Sequence, residues 1–243
     1  MTTTTRDVPF FGELYRRTTA PLLSERVTVA EAAFVAHALA LGPGVRALDL
    51  GCGEGRHVAA LAGTGAQLFG LDNDLPSLRA AGAHARVCAG DLRALPMADR
   101  SFDAAFCWYS TLFVFDEAGN RRALAEAARV LRRGARFAFQ TVNPERLARE
   151  REASFERVFP DGAVVRESSR FDPARGVDEG TRTLALPSGE SLRASWRLRY
   201  YRLDELTQLF AASGLRIVSV YGSAQGEPFS PDALDLIALS VRE

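Results

Sequence analysis

Across residues 45–141 short apolar runs alternate with segments of helical period. Val45 to Leu50, Gln67 to Leu71, Ala85 to Ala89, Phe102 to Cys107 and Ala135 to Thr141 read as strands, and His57 to Ala62, Pro76 to Ala83 and Asn120 to Leu131 read as helices. Strands that are apolar throughout are covered on both faces, and their alternation with helices makes them parallel. The expected fold is α/β, a doubly wound, Rossmann-like sheet. The helix from Asn120 is expected to stop at Arg132-Arg133-Gly134, where basic residues meet the carboxyl-terminal dipole and a glycine follows.

The flanks follow other rhythms. Met1 to Pro9 is polar, Thr-rich and expected to be mobile; Phe10, Phe11, Leu14 and Tyr15 then fall at helical spacing. A second helix is expected over Val27 to Leu41, with Val29, Ala32, Ala33, Ala36 and Leu39 or Ala40 on its buried face. Thr28 or Ser24 would cap it, and Glu31 completes a capping box from Thr28. Beyond the alternating region, Asn143 to Arg151 reads as a charged helical exit. Val164 to Arg170, Thr181 to Leu186 and Ser191 to Tyr201 then read as strands joined by short turns, hence a small antiparallel β insert. Helical period returns at Leu203, Leu206, Leu209 and Phe210, before two strands at Leu215 to Tyr221 and Leu234 to Val241. The loop Gly222 to Pro231 between them is too short for a helical crossover, so the last strand should be antiparallel to its neighbour. The expected organisation is an N-terminal helical lid (1–44), a ligand-binding core (45–143), the insert on the substrate side (144–201) and the C-terminal part of the core sheet (202–243).

Composition narrows the function classes. With 243 residues, 47% of them hydrophobic and 25% charged, the chain can bury one good core. Thirty basic residues balance thirty acidic ones, which gives no argument for a nucleic-acid or membrane partner. No apolar run approaches the roughly 20 residues that span a bilayer, and the start lacks the apolar core of a secretory signal, so a cytoplasmic location is expected. Cys52, Cys88 and Cys107 form no C-x-x-C pair and read as packed thiols. No acidic group shows metal spacing, so metal-independent chemistry is expected.

Ligands of doubly wound sheets bind at the carboxyl ends of the strands, and the informative residues fall there. Asp49 and the alternate glycines Gly51, Gly53 and Gly55 follow the first strand of the core; Asp72 follows the second, Asp91 the third, and Cys107-Trp108-Tyr109-Ser110 the fourth. A carboxylate about twenty residues past a glycine turn can accept both ribose hydroxyls. A nicotinamide or flavin dehydrogenase is a competing reading. Its fingerprint, however, is G-x-G-x-x-G with a helix N-terminus free for pyrophosphate, whereas here the turn is G-x-G-x-G behind a fixed negative charge.

The motifs Leu48-Asp49-Leu50-Gly51-Cys52-Gly53-Glu54-Gly55, Gly70-Leu71-Asp72, Gly90-Asp91-Leu92 and Leu95 to Asp103 resemble those of class I S-adenosylmethionine-dependent methyltransferases of the small-molecule type. The resemblance covers roughly Val45 to Asn143 and, more loosely, Arg202 to the end. It implies a seven-stranded sheet with an antiparallel last strand. It also implies S-adenosylmethionine as methyl donor, S-adenosylhomocysteine as product, and transfer to an oxygen or nitrogen of a small molecule. Asp49, Gly51 and Gly53 would lie under the methionyl part, Asp72 at the ribose, Asp91 at the adenine amine, and Asn73 and Leu92 beside the adenine. Trp108 would stand near the sulfonium, where a ring contributes roughly 0.5–2 kcal/mol of cation–π attraction.

Weak catalytic candidates are Tyr109, His57 and Tyr15, the last only if the first helix closes over the cofactor. His57 is weighted towards a structural role, and one of Tyr200 and Tyr201 towards the core. The D/N-P-P-aromatic motif of methyltransferases that modify bases or glutamine amides is missing after the fourth strand, which argues further against nucleic acid. Arg193, Arg197 and Arg199 share one strand face, either solvated or a patch for an anionic group. The chain is expected as a monomer or homodimer; a non-catalytic cofactor-binding protein is the alternative.

Overall fold

The structure is a computed structural model and describes residues 4–82 and 86–243. Its elements, in order, are β1 (Thr4–Asp7), α1 (Tyr15–Thr18), α2 (Glu25–Ala38), β2 (Arg46–Leu50), α3 (Arg56–Ala60), β3 (Gln67–Asp72), α4 (Leu75–Ala80), β4 (Val87–Ala89), β5 (Phe102–Cys107), α5 (Glu117–Val130), β6 (Leu131–Val142), α6 (Pro144–Leu147), β7 (Glu152–Val158), β8 (Val164–Asp172), β9 (Val177–Ala185), β10 (Glu190–Arg199), α7 (Leu203–Ala212), β11 (Leu215–Tyr221) and β12 (Asp235–Arg242).

Seven strands form the core sheet in the order β11-β12-β6-β5-β2-β3-β4. β2 to β6 run parallel, and β12 enters antiparallel between β6 and β11, as its short connection requires. Strand order reverses at β2, which pairs with β3 on one side and β5 on the other. That reversal opens a crevice at the carboxyl ends of these strands. On one face α2 and α3 bury Ala32, Val35, Ala38, Val58 and Leu61 against Ala47, Phe106 and Ile237. On the other, α5 and α7 bury Leu124, Leu206 and Phe210 against Phe137 and Phe139.

A second, five-stranded sheet has the order β1-β10-β9-β8-β7. β7 to β10 are antiparallel, but β1 adds in parallel to β10, with Thr4 opposite Glu190 and Asp7 opposite Arg193. The start of the chain is therefore tied to the insert, which corrects the expected mobility of Thr4 to Asp7; Met1 to Thr3 lie outside the described residues. β7, where no strand was expected, is the exposed outer edge.

Other departures have local causes. The helix expected over Phe10 to Tyr15 is broken at Phe11 (φ −80°, ψ 119°) and at Gly12 (φ 139°), and regular helix starts only at Tyr15. α2 starts earlier than expected because Ser24 Oγ accepts the Val27 amide at 3.3 Å. Its buried stripe runs through Glu31, Ala32, Val35 and Ala38, while Val29 is 57% exposed and Ala33 is exposed. Thr28 and Glu31 make no capping box; both side chains bind Arg56 instead. α5 starts at Glu117, capped by Asp116 Oδ1 on the Gly119 amide at 2.7 Å. It ends at Val130 because Leu131 is already extended and paired with Phe102, so Arg132-Arg133-Gly134 lies within β6. The expected helix end at Ala83 and strand start at Ala85 fall outside the described residues; the helix described there ends at Ala80.

Phe139 lies fully buried between Phe113, 4.8 Å away, and Phe210, 6.1 Å away, and so links the segment after β5 to α7. Phe139→Ala should lower unfolding free energy by about 3–5 kcal/mol, read from urea denaturation with an unchanged m-value.

Candidate functional site

A cavity of about 300 Å³ lies at the carboxyl ends of β2 to β5. Asp49, Gly51, Gly53, His57, Asp72, Asn73, Asp91, Leu92, Trp108, Tyr109 and Tyr15, all singled out from sequence, line it, whereas Gly55, Cys107 and Ser110 do not. Among the described residues of the insert, 144–201, none lines it. Its outer wall is instead the kinked strap after β1, through Phe11, Gly12, Tyr15, Arg16, Ala20 and Leu23. Arg16 ion-pairs with Asp74 at the start of α4, so the strap is anchored across the mouth.

The glycine turn is fixed by backbone bonds from Gly51 and Cys52 amides to the Leu71 carbonyl, at 2.8 and 3.0 Å. Gly51 has φ 80°, and a Cβ there would stand 2.3 Å from Thr111 Cγ2, so the segment after β5 lies directly against the turn. Gly53 has φ 54° and open space where its Cβ would be, which leaves bare backbone facing the cavity. Its amide donates to Asp72 Oδ2 at 2.8 Å, while Asp72 Oδ1 accepts from the Asp74 amide at 2.9 Å. Both oxygens of Asp72 are thereby oriented and keep lone pairs for further donors.

Asp49, at the end of β2, is 2% exposed, and its Oδ2 has no hydrogen-bond partner. Burial raises its pKa to about 8; the Arg56 charge opposes this and the Asp72 charge adds to it. A partnerless buried carboxyl at a cavity floor favours a ligand that brings positive charge. Asp91 differs. Its side chain is 45% exposed and forked by Arg93, Nε to Oδ1 at 3.0 Å and Nη2 to Oδ2 at 2.7 Å, which holds the carboxyl below its usual range. The oxygens expected at an adenine amine are already engaged.

The strand-end aromatics are held under strain. Tyr109 and Ser110 are both left-handed, each at φ 59°, at a cost of about 1–3 kcal/mol per residue. Gln140 offsets this cost by accepting the Tyr109 amide at Oε1 (2.7 Å) and the Ser110 amide at its carbonyl (3.1 Å), and Asp235 fixes the Gln140 amide at 2.8 Å. Trp108 is buried against the His57 ring, with centroids 6.0 Å apart.

The residue that sequence reasoning missed is Glu31. Buried on α2, it accepts from Arg56 Nη1 (2.6 Å), from Tyr109 Oη (2.8 Å) and, at 3.1 Å, meets His57 Nε2. Burial alone would raise its pKa, but the bonds from His57, Arg56 and Tyr109 outweigh burial and hold it below the usual range. His57 is shifted down by burial, against the pull of Glu31, and Tyr109 is shifted up by burial and by Glu31. A glutamate on the helix stripe that also holds Val35 and Ala38 was the available signal. Tyr200 and Tyr201 are both buried away from the cavity, with Tyr201 Oη bonded to Asn120 and Glu117. Of the three arginines on the β10 face, Arg197 is paired with Glu179, and Arg199 with Glu117 and Glu205. Among the described residues no helix is long and apolar enough to cross a membrane.

Residues 47–134 match the family described as methyltransferase domain. A demethylmenaquinone methyltransferase of Mycobacterium marinum is 41% identical over 102 residues, which cover 41% of this chain and 42% of that protein. The chain thus matches less than half the length of that relative. The sugar N-methyltransferase KedS8 from Streptoalloteichus sp. superposes with a TM-score of 0.77 at 20% identity, covering 100% of this chain and 98% of that one. CalS10, an amino pentose methyltransferase from Micromonospora echinaspora solved with S-adenosylmethionine bound, gives a TM-score of 0.70 at 21% identity, over 95% of this chain and 97% of the other. The fold is that of class I S-adenosylmethionine-dependent methyltransferases, and within it residues 47–134 match a methyltransferase domain.

The Asp49 shift has a signed consequence. Between the unfolded pKa, about 3.9, and the native value, about 8, the native state holds a proton that the unfolded state has lost. Stability of the ligand-free protein from this group therefore falls as pH rises through that window. Asp49→Asn should flatten the decline of melting temperature between pH 5 and pH 8 (about three pH units), as followed by calorimetry.

Proposed function

We infer that the protein uses S-adenosylmethionine to methylate a nitrogen or oxygen of a small molecule, with S-adenosylhomocysteine as product. The observation that carries the reading is the partnerless oxygen of Asp49 beneath a glycine turn, a buried carboxyl that a cationic cofactor would ionise and pair with. The cofactor supplies a methyl group already activated by its sulfonium, so alignment and exclusion of water are the protein's main tasks.

In this reading Asp49 faces the positively charged methionyl end, and Gly51 and Gly53 let that end lie against backbone. Asp72, with both oxygens preset by the Gly53 and Asp74 amides, takes the ribose hydroxyls. Leu92 and Asn73 flank the adenine, and Asp91 reaches its amine only by sharing the carboxylate with Arg93. Trp108 lends its ring to the cation. The strap from Phe11 to Leu23 closes the site from above and keeps water out. The lid role of 1–44 and the acceptor-side role of 144–201 belong to this same proposal. In its support, relatives whose names specify menaquinone or sugar substrates act on small molecules.

Calorimetric titration with S-adenosylhomocysteine tests the cofactor. Wild type should bind, and Asp72→Ala should weaken binding at least about tenfold, the value of one or two lost charge-assisted hydrogen bonds. Undiminished binding by that variant would remove Asp72 from the site, and no binding by wild type would remove the reading.

A further inference from the structure

Glu31 lies outside the segments that carry the family motifs, yet three side chains that line the cavity end on its carboxylate: Arg56, His57 and Tyr109. The geometry fixes the direction of these bonds. A carboxylate can only accept, so the Tyr109 hydroxyl hydrogen points at Glu31 Oε1 and the His57 proton sits on Nε2. The phenol oxygen of Tyr109 and Nδ1 of His57 are then left as acceptors. The Arg56 guanidinium, 5.1 Å from the centre of the Tyr109 ring, closes the back of the ring and is tied down by Thr28 as well as Glu31. The tyrosine has little freedom to respond otherwise, since its backbone is locked left-handed by Gln140.

The place of Tyr109 follows from the sheet. β5 is the parallel neighbour of β2, with Phe106 opposite Asp49, and Thr111 abuts Gly51. A group seated on the glycine turn with its charge towards Asp49 therefore lies beside Tyr109. Resting on the cofactor reading above, we propose that Glu31 is a positioning residue that turns the Tyr109 oxygen, as an acceptor, towards the transferred methyl, so that the incoming nucleophile is a proton-bearing nitrogen or oxygen held by its own N–H or O–H. The lone pair of that nucleophile forms the bond to the methyl carbon and the C–S pair leaves on sulfur; the methylated nucleophile then loses its surplus proton to water as the product leaves, while the Tyr109 phenol keeps its own proton on Glu31 and only orients the N–H or O–H. Glu31 touches neither substrate nor cofactor; its effect passes through Tyr109.

Sinefungin tests this without knowledge of the natural acceptor. In that cofactor analogue a carbon bearing an amino group replaces the sulfonium and its methyl, which puts an N–H donor where the nucleophile meets the methyl. S-adenosylhomocysteine has no donor there. Wild type should bind sinefungin about tenfold more tightly than S-adenosylhomocysteine, the value of one hydrogen bond to a charged donor. Glu31→Gln keeps the shape but reverses the polarity: its carbonyl must face Arg56 and His57, so its amide nitrogen donates to Tyr109 and the phenol hydrogen swings into the cavity. In Glu31→Gln and in Tyr109→Phe the preference should fall to about onefold, with S-adenosylhomocysteine affinity within about threefold of wild type, and Glu31→Asp should restore part of it. An unchanged preference in Glu31→Gln overturns the proposal while leaving the cofactor reading intact. Failure of wild type to bind S-adenosylhomocysteine at all would instead overturn the cofactor reading.

Discussion

One carboxyl oxygen without a partner, at the end of the interior strand β2, sets the terms for the rest of this site. Desolvating a carboxyl without pairing it costs several kcal/mol unless the group stays protonated or meets a cation. Asp49 is in that position because β2 is an interior strand of a sheet covered on both faces, where only the strand end opens to a cavity. Arg56, whose charge acts on Asp49, gives its Nη1 to Glu31 and Thr28 and makes no hydrogen bond to Asp49; its buried Nη2 is likewise without a partner. The fold thus maintains an electrostatic deficit beside a stretch of bare glycine backbone, and the proposed cofactor is the group that relieves it.

Two further constraints converge on the same place. The segment after β5 is bent through two left-handed residues, and Gln140 and Asp235, from neighbouring strands β6 and β12, hold it there. The antiparallel entry of β12 beside β6 thereby supports the aromatic wall of the site, which is a functional reason for the position of the last strand. On the opposite side the strap is held at its middle: Asp74 at the start of α4 binds Arg16, and Arg182 of β9 donates to Thr18 Oγ1 at 2.8 Å and to Thr19 Oγ1 at 2.5 Å. The second sheet contributes no lining residue to the cavity among those described; it holds the strap that does.

The strand-end residues were legible in the sequence because each is a chemical exception in its surroundings. Asp49 interrupts an apolar run, Gly51 and Gly53 cluster where no turn length requires two glycines, and Asp72 closes a strand that is otherwise apolar. The alternation of strand and helix signals likewise gave the core sheet and its antiparallel end. What stayed hidden depends on contacts distant in sequence. Glu31 resembled the last member of a capping box, because its spacing from Thr28 is right for one; only the packing of α2 on α3 shows both side chains bound to Arg56. β1 and β7 lack apolar alternation since both border the second sheet, and an edge strand is specified by its neighbour more than by its own residues. The Phe10 to Tyr15 spacing was helical, but Gly12 lets the chain kink and carry Phe11 over the cavity.

The central claim is that Asp49 stays protonated until a cationic cofactor arrives. Calorimetric titration of S-adenosylmethionine at pH 7, repeated in buffers of different ionisation enthalpy, measures the protons exchanged on binding. Wild type should release about one proton, because a nearby cation lowers the Asp49 pKa from about 8, and Asp49→Asn should release none. A binding enthalpy independent of buffer for wild type would contradict it.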